Sequence, residues 1–211
     1  MKPINSVFSL NETLQTIKNR RSIRLFIKQE VSDDHINILL QAAHEAPSAH
    51  NQQSWRFIVM RDQKRQELAR LVTSRSGKLP RPASTLLRMA ARSIAGAPAV
   101  IAIANTGDLI RHGTQLFKVE KEMAHDFFRT MEIQSSAAAV QNLLLAATSL
   151  GLATVWLGIL YPVRNNAPLL PPGQAPPRKG SCPGGRPSLR ARGSSEPEAG
   201  PAAAAGLPIL E

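Results

Sequence analysis

Ala46-Pro47-Ser48-Ala49-His50-Asn51-Gln52-Gln53-Ser54-Trp55, followed by Arg56-Phe57-Ile58-Val59-Met60, is the stretch whose reading decides the fold. Pro47 disfavours helical geometry in the residue before it, so the helix leading into the stretch must end near Ala46. A polar loop follows, and at Trp55 an apolar run with aromatic and β-branched residues begins, which predicts a strand over Trp55–Met60. The loop's small and amide side chains leave room for a flat ring. They also offer hydrogen bonds to the carbonyl and imide edge of a heterocycle. An ordinary helix-to-strand loop fits the same residues.

Outward from this stretch, helices and strands alternate. Ser32 is placed to cap the preceding helix, where Ile36, Leu39, Leu40 and Ala43 fall at helical spacing. Asn11 is placed to cap a shorter one running to about Asn19. Asp62 opens a charged helix to about Val72, and a basic loop with Gly77 and Pro80 leads to a helix from about Ser84 to Ile94. Pro98–Ala104 is apolar on both faces, as a central strand should be. The longest helix is expected over Glu132–Leu150, stopped by Gly151, with a third strand over Leu152–Leu157. Helices around a small central sheet make an α+β layered fold. The chain shows no internal repeat.

Near residue 165 the character changes. Residues 166–211 hold 10 of the 16 prolines and 7 of the 13 glycines, and no aromatic residue. That composition resists a packed core, so 1–165 is read as one domain and 166–211 as a disordered tail. The Ala-rich stretch Pro201–Gly206 could form a helical turn, too short to persist alone. Cys182, the single cysteine, excludes an internal disulfide and fits a reducing compartment. The start of the chain lacks a signal peptide's apolar core, and no apolar stretch is long enough to span a membrane. The expectation is a soluble cytoplasmic protein.

Of the formal charge of +11, +9 belongs to the domain, since residues 1–165 carry 21 Lys and Arg against 12 Asp and Glu. It is sharpest between Glu67 and Asp108, where Arg70, Arg75, Lys78, Arg81, Arg88 and Arg92 meet no acid. A basic surface attracts phosphorylated cofactors and acidic substrates as readily as nucleic acid, and a solvated face is the plainest meaning of such a run. Docking the phosphates of a nicotinamide cofactor is a further use for it. The interleaved aromatics of a single-strand binder and the spacings of zinc or helix-turn-helix modules are missing. Arg20-Arg21-Ser22-Ile23-Arg24 is a second basic cluster. Three guanidiniums and a hydroxyl within five residues suit a phosphate monoester, and equally a solvated basic turn. Gly151-Leu152-Ala153-Thr154-Val155-Trp156-Leu157-Gly158 ends in a glycine, which marks either close approach of backbone to a ligand or a simple turn.

Other chemistries find no motif. The histidines at 35, 44, 50, 112 and 125 include no i, i+4 pair, so no metal site is indicated. Nucleophile elbows, phosphate loops and Gly-x-Gly-x-x-Gly turns are likewise missing.

In this order and spacing, three segments resemble the nitroreductase family over roughly residues 12–160. Ile17–Arg24 is similar to its flavin-phosphate motif. Ala46–Trp55 looks like its second motif, with Ser54 where proline is common, and Ala137–Gly158 resembles its long helix and glycine-ended strand. The resemblance implies a small central, mainly antiparallel sheet flanked by helices, and a homodimer with FMN between two chains. It further implies that Arg20, Arg21, Ser22 and Arg24 hold the phosphate and the pyrimidine edge. Pro47, Ser48, Ala49 and Asn51 of the other chain would line the ring, and the backbone at Leu157 and Gly158 would approach N5. NADH or NADPH would supply hydride for nitroaromatics, quinones or similar electron-poor small molecules. No side chain is expected to act as general acid, no metal is implied, and neither membrane nor nucleic acid is an implied partner. Two alternatives stay open: a polyanion- or nucleic-acid-binding protein, and a folded remnant without flavin.

The likeness fails after about Tyr161, where the family continues into a last strand and an arm around the partner. The tail is expected to replace both, through a shifted reading frame or another replacement upstream of residue 167. Arg178-Lys179 or Arg186 could still stand in for the arm's basic group.

Overall fold

The computed structural model describes residues 11–116, 120–158 and 204–210. Its first two helices begin where side-chain oxygens satisfy otherwise unpaired backbone N–H groups. Asn11 Oδ1 accepts from the N–H of Leu14 at 2.9 Å, opening α1 (Glu12–Asn19), and Ser32 Oγ accepts from His35 at 3.2 Å, opening α2 (Asp33–His44). A 3₁₀ turn (Ala49–Asn51) leads to β1 (Trp55–Met60), then α3 (Asp62–Ser76), α4 (Ala83–Gly96) and β2 (Ala99–Asn105). The remaining elements are α5 (Asp108–Leu116), α6 (Lys121–Ser149), β3 (Ala153–Leu157) and β4 (Ala204–Leu210).

The sheet runs β1-β2-β4-β3. The antiparallel pairing expected of it is found in the β1–β2 ladder, from Trp55 opposite Asn105 to Met60 opposite Val100. β4 runs parallel to both its neighbours. Because side chains alternate along a strand, β2 feeds two cores at once. Ala99, Ile101 and Ile103 pack with Leu39, Trp55, Val140 and Leu143 beneath α2 and α6. Val100 and Ala102 pack with Val72, Leu87 and Ile94 beneath α3 and α4, joined by Val155 and Leu157 of β3. The result is a sheet between two helical layers, the α+β architecture read from the pattern.

Four features differ from the sequence reading. Helix α3 continues four residues past Val72, because Val72 and Ser76 both face the core and Gly77 caps the end. Helix α6 starts at Lys121 rather than Glu132, since Ala124 and Phe128 bury one face of a stretch that otherwise reads as polar. Helix α5 was not anticipated. Gly113 lets it approach α6 so closely that an added Cβ would stand 2.3 Å from the Phe128 ring.

The fourth is a correction. The reading of 166–211 as without a strand does not hold for Ala204–Leu210, which lies between β2 and β3. A seven-residue apolar run does not distinguish helix from strand by periodicity. Two strand edges facing each other across a one-strand gap leave their backbone groups unpaired unless a third segment fills it. Residues 167–203, with Arg178, Lys179, Cys182 and Arg186, lie outside the described residues, as does the rest of the tail's expected disorder. Among the described residues no helix is long and apolar enough to cross a membrane.

Candidate functional site

Two of the three motifs meet at β3. After α1 the chain turns at Arg20, whose N–H bonds back to Thr16 O, and continues extended beside β3. Ser22 forms a parallel bridge with Thr154, and the N–H of Ile23 donates to Thr154 O at 2.9 Å. This contact carries Arg24 to a cleft of about 280 Å³ at the end of β3. Leu157 and Gly158 line it with Arg24, and Trp156 closes one side. Gly158 contributes no side chain, and a Cβ there would meet nothing within 4 Å among the described residues.

The basic segment divides in two. Arg21 folds back, its Nη1 donating to the carbonyls of Lys18 at 2.6 Å and Arg20 at 2.8 Å. It thereby neutralises the negative end of α1. Arg24 is exposed, and among the described residues its guanidinium has no carboxylate partner. Arg20, Arg21 and Ser22 are not part of the cleft lining.

The third motif lines a different cleft, of about 330 Å³, in which Pro47, Ser48 and Ala49 face Met131, Gln134, Ser135 and Ala138 of α6. His50 and Asn51 both have φ of 53° and Gln53 has φ of 50°, left-handed values that side chains adopt at a cost. Local hydrogen bonds hold that shape. Ser48 Oγ accepts from the Gln53 N–H at 3.1 Å, and the Asn51 N–H donates to Ser48 O at 3.0 Å. The Ala49 N–H donates to Ser135 Oγ at 3.1 Å, which pins the loop to α6. Asn51 stands outside the lining and exposed. Ser54 is buried, and its hydroxyl has no partner within the described protein.

Sequence reasoning missed the helical walls of both clefts. Leu86, Met89, Ala90 and Ser93 of α4 line the first, and the four α6 residues line the second. The signal was present: 86, 89 and 93, and 131, 134, 135 and 138, each follow helical spacing along one stripe. Next to the second cleft, α6 carries Glu132, which is 2% exposed. Its carboxylate accepts from the N–H groups of Leu109 at 2.8 Å and Gly107 at 3.2 Å, at the start of α5. Burial pushes this carboxyl above its ordinary value, opposed by those N–H donors and reinforced by the nearby Asp108 charge. Among the described residues, no group of His, Cys, Asp and Glu is arranged to hold a metal ion.

Residues 17–168 match the model of the nitroreductase family. A protein of Archaeoglobus fulgidus named "Putative NADH dehydrogenase/NAD(P)H nitroreductase" is 33% identical over 153 residues, covering 72% of this chain and 70% of its own length. Among solved structures, a nitroreductase with bound FMN from Desulfitobacterium hafniense superposes with a TM-score of 0.53 at 26% identity, covering 69% of each chain. A second nitroreductase with bound FMN, from Bacteroides fragilis, has a TM-score of 0.53 at 25% identity and covers 76% of each chain.

Proposed function

We propose, on the premise that the chain belongs to the nitroreductase family, that it is an FMN-dependent oxidoreductase. It takes hydride from NADH or NADPH and passes it to nitroaromatic, quinone or similar electron-poor acceptors in a ping-pong cycle. One observation carries the reading. Arg24, suited to a phosphate, lines one cleft with Leu157 and Gly158, and Pro47, Ser48 and Ala49, suited to a planar ring's face, line another. In this reading one flavin draws the first set from one chain and the second from its partner, in a homodimer.

The residues present fit such a group. Among the described residues Arg24 has no carboxylate partner, and a guanidinium matches a phosphate's paired oxygens. Pro47, Ser48, Ala49 and Gly158 leave flat, shallow walls, as a planar ring requires. Apolar side chains around the basic segment await cover: Leu25 is 91% exposed, and Ile17, Ile23 and Ile27 are exposed as well. Such a group of exposed apolar residues marks an interaction surface.

In this assignment Arg20, Arg21, Ser22 and Arg24 hold the phosphate and the pyrimidine edge. Pro47, Ser48, Ala49 and Asn51 of the second chain line the ring, and the backbone at Leu157 and Gly158 borders N5. FMN, when bound, supplies hydride acceptance at N5 and delivery to the acceptor. The protein orients the ring, excludes water from one face, and places positive charge where electron density accumulates. No side chain is assigned a proton transfer. The test is to purify the chain with FMN, remove free flavin by gel filtration, and record the visible spectrum and mass of the protein peak. A dimer with about one FMN per chain, bleached by NADH or NADPH, is the expected result. A colourless monomer would overturn the proposal.

A further inference from the structure

Ser93 is the buried polar side chain among those lining the Arg24 cleft. It is 4% exposed and stands on the stripe of α4 that brings Leu86 and Met89 to the same cleft. A serine inside a helix ordinarily donates its hydroxyl to a carbonyl three or four residues back. Thr16 donates in this way to Glu12, Thr73 to Ala69, Ser136 to Glu132 and Thr148 to Leu144. The Ser93 hydroxyl does not, and it has no hydrogen-bond partner among the described residues; the side-chain bonds within α4 are those of Arg88 to Ser84 and Thr85. Ser54 and Thr154 also lack partners, but their hydroxyls are sealed from solvent, whereas Ser93 borders the cleft. A buried hydroxyl left unpaired is costly, and one that faces a cleft recovers the loss from a ligand. The wall around it is largely carbon, from Leu86, Met89, Ala90 and Leu157. In such a cleft a few polar groups fix a ligand's orientation. Arg24 enters from the segment beside β3 and Ser93 from α4, so these two come from different elements.

We infer that the Ser93 hydroxyl donates a hydrogen bond to the pyrimidine edge of the flavin ring, and that this bond favours the reduced cofactor. The inference rests on the flavin reading above, because it takes the Arg24 cleft as the flavin's place. A guanidinium suits the phosphate, whereas a lone hydroxyl brings one donor and no charge, which suits a carbonyl or ring nitrogen. Reduction of a flavin places negative charge on its pyrimidine ring. Hydrogen bonds to a charged acceptor are stronger than those to a neutral one, so the bond from Ser93 gains strength as the electrons arrive. Because the hydroxyl is not tied to its own helix, no internal bond has to break for it to donate.

The test compares the full chain with Ser93→Ala in three measurements. Without flavin, the variant should melt at the same temperature or higher, because alanine favours the helix and no internal bond is lost. Fluorescence titrations with FMN and with riboflavin, which lacks the phosphate, should both show binding weakened about three- to tenfold, by the same factor. The midpoint potential of the bound flavin should fall by about 30 mV, a tenfold weaker preference for the reduced form in a two-electron couple. Ser93→Cys keeps the volume but offers a weaker donor, and it should follow Ser93→Ala. An unchanged affinity or an unchanged potential in Ser93→Ala would overturn the inference, as would a cysteine variant that keeps the original potential. A loss confined to FMN, with riboflavin unaffected, would place the hydroxyl at the phosphate and overturn it too. So would a flavin-free Ser93→Ala that melts several degrees lower, since the hydroxyl would then be holding the fold. A chain that takes up neither flavin sinks the reductase reading and this inference with it, whereas a flavin-bearing chain indifferent to Ser93 sinks this inference alone.

Discussion

Ile23 and Thr154 are joined backbone to backbone, N–H to carbonyl oxygen at 2.9 Å, across 131 positions of sequence. This bond makes one cleft out of a basic segment at the start of the chain and a glycine-ended strand near its end. It fixes the backbone of Arg24 relative to that of Gly158, so the base of the charged side chain is held by main-chain pairing at the end of the strand that carries the open space.

Arg24→Gln tests the proposed phosphate contact. The residue is exposed and bonded to no other side chain among the described residues, so the fold should tolerate the change. Hydrogen bonds to charged groups contribute about 1.5–3 kcal/mol, so FMN affinity should fall about 10- to 100-fold. Fluorescence titration of apoprotein with FMN reads this directly, with an unchanged circular dichroism melt as the control. An unaltered affinity would remove Arg24 from the site.

The two tryptophans separate the cleft from the core. Trp55 is 1% exposed within the core, whereas Trp156 is 37% exposed and lines the Arg24 cleft. Added FMN should quench mainly the Trp156 emission, and Trp156→Phe should abolish most of the saturable quenching while leaving the Trp55 signal. Quenching that persists undiminished in Trp156→Phe would place the flavin elsewhere.

The parts of the fold that were legible in the sequence are those set by local chemistry. Asn11 and Ser32 announce helices because their oxygens cap N–H groups within three residues, and Trp55–Met60 announces a strand by its own composition. The parts that were not legible depend on distant partners. Helix α5 is mixed in polarity, and its position comes from Phe128 and Glu132, on another helix. β4 has a place only because β2 and β3 stand one strand apart. Pro47, Ser48 and Ala49 were legible as a shallow loop, but their Met131–Ala138 wall depends on how α6 packs beside that loop.

Gly113 sets helix propensity against packing. Replacing a mid-helix glycine by alanine ordinarily stabilises by about 1 kcal/mol. Here the new methyl would meet the Phe128 ring at 2.3 Å, and that ring is buried against Leu109 and Ala124 and cannot swing away. Overpacking of this kind costs about 1–3 kcal/mol, so Gly113→Ala should destabilise on balance, lowering Tm by a few degrees. Pairing it with Phe128→Leu, which makes room, should recover part of the loss. A Tm that rises in the single variant would show that α5 does not approach α6 this closely.

Glu132 gives the protein a pH dependence whose sign follows from its burial. Its carboxyl is raised above the ordinary value of 4.5, with desolvation the main cause. The folded chain therefore keeps this proton at pH values where the unfolded chain has released it. The contribution is fully present below 4.5 and is lost as pH rises through the raised value of the folded state. Glu132→Gln stays neutral throughout and should remove this component from the pH profile. It keeps one acceptor for the Leu109 or Gly107 N–H and loses the other, so its absolute Tm carries an offset of its own. The slope is the readout: measured from about pH 4 to about pH 8, the stability of the unsubstituted chain should fall relative to Glu132→Gln as pH rises. Parallel profiles for the two proteins would mean that the N–H donors at the start of α5, rather than burial, decide the protonation of Glu132.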